Sequence, residues 1–329
     1  IHGRNSIDDA GYNLLSYVHY GSSYLNAFWD GIRMTYGDGS GGYTPLTTMD
    51  IAAHEITHGL TTNTSNLTYY AESGALNESF SDIFGIAIEN YATPSDWDWL
   101  MGEDIGSAFR SASNPNTYND PDTYFGTYWA SLTGGDSGGV HTNSGVQNFW
   151  YYLLQNGGTG TNDNGDAYDV TGQGWDVASA VAFRNNTEKL IASSQFIDAR
   201  FYAIESAVDL YGGCSPEVEA VTDAWYAVGV GAAYSNEVFA DFDVENGMGC
   251  AAPWTVDFTN LSINGLTYSW DFGDGGTSTE TSPSHTYTAE GTYSVTLFVD
   301  GISSFSCISM RRTCTAEGTY SVTLFVDGG

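Results

Sequence analysis

Lysine is almost missing from this chain. Lys189 is the only one, and Lys and Arg together number 8 against 40 Asp and Glu, for a formal net charge of −32. A surface so anionic repels phosphate backbones and anionic lipid, which argues against nucleic acid and membrane surfaces as partners. It suits divalent cations or a saline medium, and an ordinary acidic secreted protein would look the same. No stretch is long and apolar enough to span a bilayer. Cysteine is scarce, at 214, 250, 307 and 314, in spacings that match no familiar zinc pattern. Disulfides in an oxidising, extracellular compartment are the expected use. An initiating Met and a basic or apolar leader are also lacking at Ile1, so the chain reads as a processed product.

What is present argues for a folded chain. Hydrophobic residues make up 41% and aromatics 15% of 329 positions, enough for a large core and more than one domain. Asp50 to His58 contains His54-Glu55-Ile56-Thr57-His58, with no Gly or Pro inside it. Apolar Ile51, Ala52, Ile56 and Leu60 fall at helical spacing. On a helix, residues four apart share a face, so His54 and His58 can present two imidazoles to one ion. Glu55 then sits beside the ion, where a base acting on activated water belongs.

Taken in order, residues 8–20 read as a helix, and Ile32 to Tyr36 alternates like a strand. This piece offers an edge strand on which Asn26 and Ala27 could pair with an extended peptide; a purely structural hairpin fits equally. Glu72 to Glu89 has helical periodicity and carries Glu78, Asp82 and Glu89 on one flank. Glu78 is the candidate third ligand, leaving one position open on a metal. Asp82, one turn on, suits a partner that orients a ligand imidazole, with a salt bridge as the alternative. Residues 91–140 are loop-dominated. Their acidic stretch from Asp96 through Asp98 and Glu103 to Asp104 could join Asp50 and Glu89 around calcium. Arg110 is the only cation between residues 34 and 183 and is expected to meet a carboxylate or a substrate carbonyl. Asp136 and His141 could form an oriented oxyanion donor, or His141 could simply cap a helix.

Helices are expected over 146–154, 175–185, 196–211 and 216–227, with a Gly-rich loop over 155–174. Near residue 235 the texture shifts to short alternating strands separated by regular turns, the pattern of a small β-sandwich. Cys250 precedes its first core strand and Cys307 follows its last, which makes them the favoured disulfide. Thr288 to Gly301 recurs unchanged at Thr315 to Gly328, and no function is assigned to residues 302–329.

Together these motifs resemble the thermolysin family of zinc metallopeptidases, among the gluzincins. His54-Glu55-x-x-His58 followed, twenty residues beyond His58, by Glu78 in Asn77-Glu78-x-x-x-Asp82 is similar to its two-part zinc signature. Asn26-Ala27-Phe28-Trp29 resembles its substrate-binding edge strand. Gly138-Gly139-Val140-His141-x-Asn143-Ser144-Gly145 resembles the segment bearing its transition-state histidine. The resemblance implies an α+β fold: a thermolysin-like peptidase domain over 1–234 with a mostly helical second lobe, then a PKD-like β-sandwich over 235–301. The family usually has a further β-rich stretch before the point where this chain begins, and the loop after Glu103 is shorter, so one calcium site is expected to be absent.

It further implies a bacterial, secreted endopeptidase acting on proteins or peptides, with Zn²⁺ on His54, His58 and Glu78 and structural Ca²⁺ near Asp50, Glu89, Asp98, Glu103 and Asp96. Glu55 is implied as the base for water attack. His141 and Tyr69 are implied as oxyanion donors, Asp136 as the residue orienting His141, and Asn26, Ala27 and Arg110 as substrate-backbone contacts. Leu46, Ile51, Phe109 and Met101 would line an apolar pocket favouring cleavage on the N-terminal side of hydrophobic residues. The PKD-like module would bind extracellular matrix, polysaccharide or protein. A different class of reading, a catalytically impaired adhesion protein working through that module, and an exopeptidase of the same zinc class are the alternatives. The first lacks support from the complete ligand set, and no candidate group captures a substrate terminus for the second.

Overall fold

The helix that carries His54 and His58 forms where its sequence says it should. In the computed structural model α1 spans Met49–Thr62 and buries Ile51, Ala53, His54, Glu55, Thr57 and Gly59. Asp50 sits in its first turn, where a carboxylate favours the positive end of the helix dipole. Its partner α2, Ala71–Ala92, is buried almost without break from Glu72 to Ile86. A helix covered all round is a central one, and α2 packs along α1.

The structure describes residues 3–213, 215–235, 240, 242–245, 252–262, 267–289 and 293–300, with the backbone alone of 308–314 and 320–326. They fall into two units, Ile1–Tyr234 and Ser235–Gly329. Among the described residues no helix is long and apolar enough to cross a membrane. Cys214 and the Cys250–Cys307 pairing lie outside the described residues.

The first unit opens with three strands, β1 Ser16–Tyr20, β2 Ala27–Trp29 and β3 Met34–Gly37, in the order β1-β3-β2. Here the helix expected over residues 8–20 is not found. Asp8 Oδ1 accepts hydrogen bonds from the amides of Ala10 and Tyr12, Asp9 Oδ1 accepts one from Asn5, and Ser6 and Asp9 are left-handed. Such side-chain turns compete with the helical ladder. Ser16 to Tyr20, rich in Tyr and Val, instead pairs in parallel with β3. β2 lies antiparallel to β3 with Ala27 opposite Tyr36, so its outer edge is free. Ala27, Met34 and Tyr36 pack with Leu46 and Ile51 into a small core above α1.

Two short strands follow, β4 Leu100–Met101 and β5 Arg110–Ser111, antiparallel with Met101 opposite Arg110. Then come α3 Gly135–Asn143 and α4 Gly145–Asn156. The Gly-rich segment over 155–174 is not a plain loop: it holds a hairpin, β6 Gly158–Thr161 with β7 Ala167–Val170. Its Gly-Thr-Gly-Thr strand offers no apolar alternation to read. Helices α5 Gly174–Arg184, α6 Phe196–Tyr211 and α7 Pro216–Ala227 complete the lobe. Ser215 caps α7 by accepting from the Val218 amide, with Pro216 in the first turn. Trp150 stacks on Trp225 at 4.8 Å in the core these helices share.

The second unit is all β. One sheet runs in the order β12-β9-β8, with β8 Phe242–Glu245, β9 Trp254–Asn260 and β12 Ser284–Tyr287. The other joins β10 Thr267–Asp271, β11 Thr277–Ser278 and β13 Tyr293–Asp300 in the order β11-β10-β13, and continues through the backbones of β14 Ile308–Cys314 and β15 Tyr320–Val326. Phe242, Phe258, Trp270, Phe272 and Leu297 form its core.

Candidate active site

His54 and His58, one turn apart on α1, turn their Nε2 atoms toward each other at 3.0 Å. Glu78 of α2 completes the triangle, with its oxygens 3.5 Å from His54 Nε2 and 3.5 Å from His58 Nε2. One donor atom from each residue lies within 4.8 Å of the others. Glu78 is 1% exposed and its Oε2 has no hydrogen-bond partner. Two imidazole nitrogens and an orphaned carboxylate oxygen converging in a buried spot could hold a metal ion, and two imidazoles with one carboxylate make a zinc-type donor set.

The far sides of both rings are tied down. His54 Nδ1 meets Asp82 Oδ1 at 2.9 Å, and His58 Nδ1 meets Asn77 Oδ1 at 2.7 Å. Each bond places the proton on Nδ1 and leaves Nε2 free to coordinate. Burial pulls the His58 imidazole down to about 4, which keeps it neutral. Burial also works to lower His54, but the hydrogen bond and charge of Asp82 outweigh it and raise that group. Glu78 is held below its usual range: burial pushes it up, and His58, His54 and His141 overcome the push.

Asp82 is the most heavily hydrogen-bonded carboxylate here. Besides His54 it accepts Nε and Nη2 of Arg110 at 2.7 and 2.6 Å, and Nδ2 of Asn148 at 2.8 Å. Burial opposes its charge, yet Arg110 and His54 hold it well below the ordinary carboxylate range. Arg110, the lone cation of its region, thus meets a carboxylate, and it also lines the cleft.

Glu55 faces the same cleft from α1. It is 5% exposed, its Oε2 has no partner, and burial raises it to about 7, against His54 and with Glu78. A carboxylate with a pKa near neutrality is suited to take and return a proton. Across the cleft, Tyr69 donates its hydroxyl hydrogen to Glu78 Oε1 and lies 3.2 Å from His141 Nε2. His141 Nδ1 is 2.6 Å from Asp136 Oδ1, and the His141 amide donates to Asp136 Oδ2 at 3.0 Å.

That pairing depends on an unusual turn. Asp136, Ser137, Gly138 and Gly139 all have left-handed backbone, with φ of 55, 50, 86 and 78°. For Asp136 and Ser137 this costs about 1–2 kcal/mol each. The two glycines carry the turn where it is most crowded: a Cβ on Gly138 would lie 2.5 Å from the Leu132 carbonyl oxygen, and one on Gly139 2.5 Å from Ala130 Cβ.

The cleft, about 840 Å³, brings Asn26, Ala27, Leu46, Ile51, Met101 and Phe109 together with these polar groups. Ala27 is the first residue of β2 and Asn26 directly precedes it. A second acidic group lies elsewhere on the unit. Donor oxygens of Glu89, Glu103 and Asp104 fall within 4.8 Å of one another. Asp50 Oδ2 accepts the Gly102 amide at 2.6 Å, and Asp98 Oδ1 accepts the Leu100 amide. Burial, then the Glu103 and Asp50 charges, raise Glu89 to about 8, and burial raises Glu103 to about 7. Asp50, Asp98 and the exposed Asp96 are outside this group, whereas Asp104, from the same acidic stretch, is in it. Asn77 and Asn148 were not selected from the sequence; Asn77 could have been, as the residue beside Glu78 in the motif.

Residues 1–62 match the family profile described as "Thermolysin metallopeptidase, catalytic domain", residues 65–230 match "Thermolysin metallopeptidase, alpha-helical domain", and residues 238–309 match "PKD domain". Bacillolysin of Bacillus cereus is 50% identical over 235 residues, covering 69% of this chain and 40% of that protein. Thermolysin of Alicyclobacillus acidocaldarius subsp. acidocaldarius is 43% identical over 238 residues, covering 70% of this chain and 42% of its own. The chain therefore spans about two fifths of the length of the curated relatives it matches. Among solved structures, the precursor of protealysin, a metalloproteinase from Serratia proteamaculans, aligns with a TM-score of 0.58 at 30% identity, covering 69% of this chain and 72% of that one.

Proposed function

The chain belongs to the thermolysin metallopeptidase family, and from that premise we propose that it is a zinc-dependent endopeptidase of extended peptide substrates. The observation that carries this is the convergence in one cleft of a three-residue metal set, a near-neutral buried Glu55 and two hydrogen-bond donors, Tyr69 and His141. His54, His58 and Glu78 would hold Zn²⁺, which when bound supplies Lewis acidity, polarising a carbonyl and lowering the pKa of water to about 7.

Glu55 takes the proton from the attacking water and returns it to the leaving amine. Tyr69 and His141 donate to the oxygen that becomes negative as the carbonyl turns tetrahedral, and Asp136 keeps His141 Nδ1 engaged so that Nε2 faces the cleft. The free edge of β2 accepts an extended backbone by strand addition, with Asn26 and Ala27 as its contacts. Leu46, Ile51, Met101 and Phe109 form an apolar wall, which supports a preference for a hydrophobic residue just after the scissile bond. Arg110 is proposed to contact the substrate backbone from its Asp82-bound position. The acidic group at Glu89, Glu103 and Asp104, with Asp50 and Asp98 beside it, is proposed to hold structural calcium. The proposal extends to an extracellular bacterial setting, and to a binding or spacer role for the PKD unit.

The test is cleavage of an unfolded protein substrate by the purified chain, its loss on zinc chelation, and its return on adding zinc. Glu55→Gln should bind zinc at one equivalent per chain while losing activity by about 10²–10⁴-fold. Full activity in that variant would remove Glu55 from the mechanism.

A further inference from the structure

We propose that Asn148, braced by Ser79, is a positioning residue for the metal set and for Arg110, acting through Asp82. This rests on the metallopeptidase reading above. Neither side chain hydrogen-bonds a ligand residue or lines the cleft. Asn148 is on α4, 2% exposed, and Ser79 on α2 is fully buried. Their side chains form one chain of hydrogen bonds: Ser79 Oγ donates to Asn148 Oδ1 at 2.7 Å, Asn148 Nδ2 donates to Asp82 Oδ2 at 2.8 Å, and Asp82 Oδ1 receives His54 Nδ1 at 2.9 Å.

The direction of every bond in this chain is fixed. An ionised Asp82 can only accept, so the amide of Asn148 must face it with its nitrogen and offer its oxygen to Ser79, which donates. The same logic makes His54 a donor through Nδ1 and leaves Nε2 bare.

Asp82 needs such a brace because its terminal torsion is soft. A carboxylate rotates about its last bond in a broad, roughly two-fold well. Arg110 bridges both oxygens, and Asn148 adds a bond from a separate element. Arg110 stands on β5, a two-residue strand paired only with another of two residues, and His54 is the group being positioned. Asn148 comes from a long buried helix and meets Oδ2, the oxygen His54 does not use. With it in place Oδ1 is reserved for His54 and Arg110 Nη2, and Oδ2 for Arg110 Nε. Ser79 directly follows the ligand Glu78, so the brace also refers the His54 side of the metal set to the helix carrying Glu78.

The consequence is that one asparagine couples metal affinity to substrate binding. Asn148→Leu, which keeps the branched outline and removes both hydrogen bonds, is expected to weaken zinc binding about tenfold, the low end for partners beyond the ligands themselves. It should also raise KM several-fold through a loosened Arg110, with kcat at saturating zinc within about twofold of wild type. Ser79→Ala should move the same two quantities in the same direction by a smaller factor. The double variant should be no worse than Asn148→Leu alone, since Ser79 acts only through Asn148.

The experiment measures zinc affinity of the full chain by competition with a chromophoric chelator, and kcat and KM separately. Val146→Ala, a buried truncation on the same helix, should lower stability without changing zinc affinity. Unchanged zinc affinity in Asn148→Leu, additive losses in the double variant, or an equal affinity loss in Val146→Ala would each overturn the proposal. If Asn148→Leu does not fold, Ser79→Ala with the same readouts decides: an unchanged zinc affinity overturns the brace. Failure of the wild-type chain to bind zinc at all would instead overturn the metallopeptidase reading.

Discussion

The hydroxyl of Tyr69 lies 3.2 Å from Nε2 of His141, a residue seventy-two positions away in the chain. Both reach the same oxygen of Glu78, Tyr69 by donating to it and His141 at 3.4 Å. Two groups from separate segments thus meet at one carboxylate oxygen of the metal set, and under the proposed mechanism both would donate to a substrate oxygen as it gains negative charge. Burial, then Glu78, push the Tyr69 phenol far above its usual value, so it stays protonated and able to donate at any working pH.

Removing either donor should therefore act on the transition state. His141→Phe is expected to lower kcat by about 10²–10³-fold, the range for loss of one such donor, with KM changed far less. Tyr69→Phe should cost less, because its hydroxyl is shared with Glu78. Steady-state kinetics on a short peptide separate the two parameters. A rise in KM at constant kcat would assign these groups to ground-state binding instead.

Gly138→Ala tests the turn that carries His141. The substitution forces a side chain into left-handed backbone and onto the Leu132 carbonyl at 2.5 Å. The conformational part alone is about 1–2 kcal/mol, and the clash adds to it. The expected result is a stability loss of about 2–3 kcal/mol in urea unfolding. Activity should fall as well, because the turn supplies Asp136 to both the amide and the ring of His141. Ser137→Gly, at the neighbouring left-handed position, should be neutral or stabilising.

The fold class and the spacing of the metal set were legible in the sequence, for physical reasons. His54, Glu55 and His58 are one helical turn, and Glu78 and Asp82 are another, so local spacing already puts the right atoms on the right faces. Asn148 and Ser79 gave no such signal: a buried Asn on an apolar helix looks like any interior polar residue until Asp82 is seen opposite it. Residues 8–20 misread as a helix because Asp8 and Asp9 act through side-chain turns that periodicity does not register. The β6–β7 hairpin is a Gly-Thr alternation that pairs through backbone alone. Which carboxylates of the stretch from Asp96 to Asp104 come together depends on the turn at Glu103–Ile105, and spacing along the chain does not encode it.

The acidic group at Glu89, Glu103 and Asp104 should bind calcium and stabilise the first unit. Without a cation, burial and mutual repulsion raise Glu89 to about 8 and Glu103 to about 7, so the site is a liability when empty of charge compensation. At 100 times its dissociation constant, calcium would add about 2.7 kcal/mol. Glu103→Gln should remove that increment while melting no lower than wild type in chelator, since one repelling charge has gone. Thermal unfolding with and without calcium reads both effects. A calcium-induced rise in Tm that survives in the variant would move the ion elsewhere.

Asp120 gives a prediction of opposite sign to the usual carboxylate. It is 8% exposed, and burial raises it to about 7, with Arg110 pulling it down and Asp82 and Asp136 pushing it further up. In the unfolded chain it titrates near the ordinary aspartate value of 3.8. Between those values the folded chain keeps a proton that the unfolded chain has released. Stability contributed here is full below about pH 4 and falls as pH rises, by about 1.4 kcal/mol per unit, levelling off above about pH 7. Asp120→Asn, which keeps the shape and cannot ionise, should match wild type near pH 4 and exceed it at pH 8 by about 1–4 kcal/mol. Urea unfolding of both proteins at the two pH values makes the comparison. Equal stability at pH 8 would mean that the Arg110 guanidinium compensates the Asp120 charge in full, and that the two form a working ion pair despite the competing grip of Asp82.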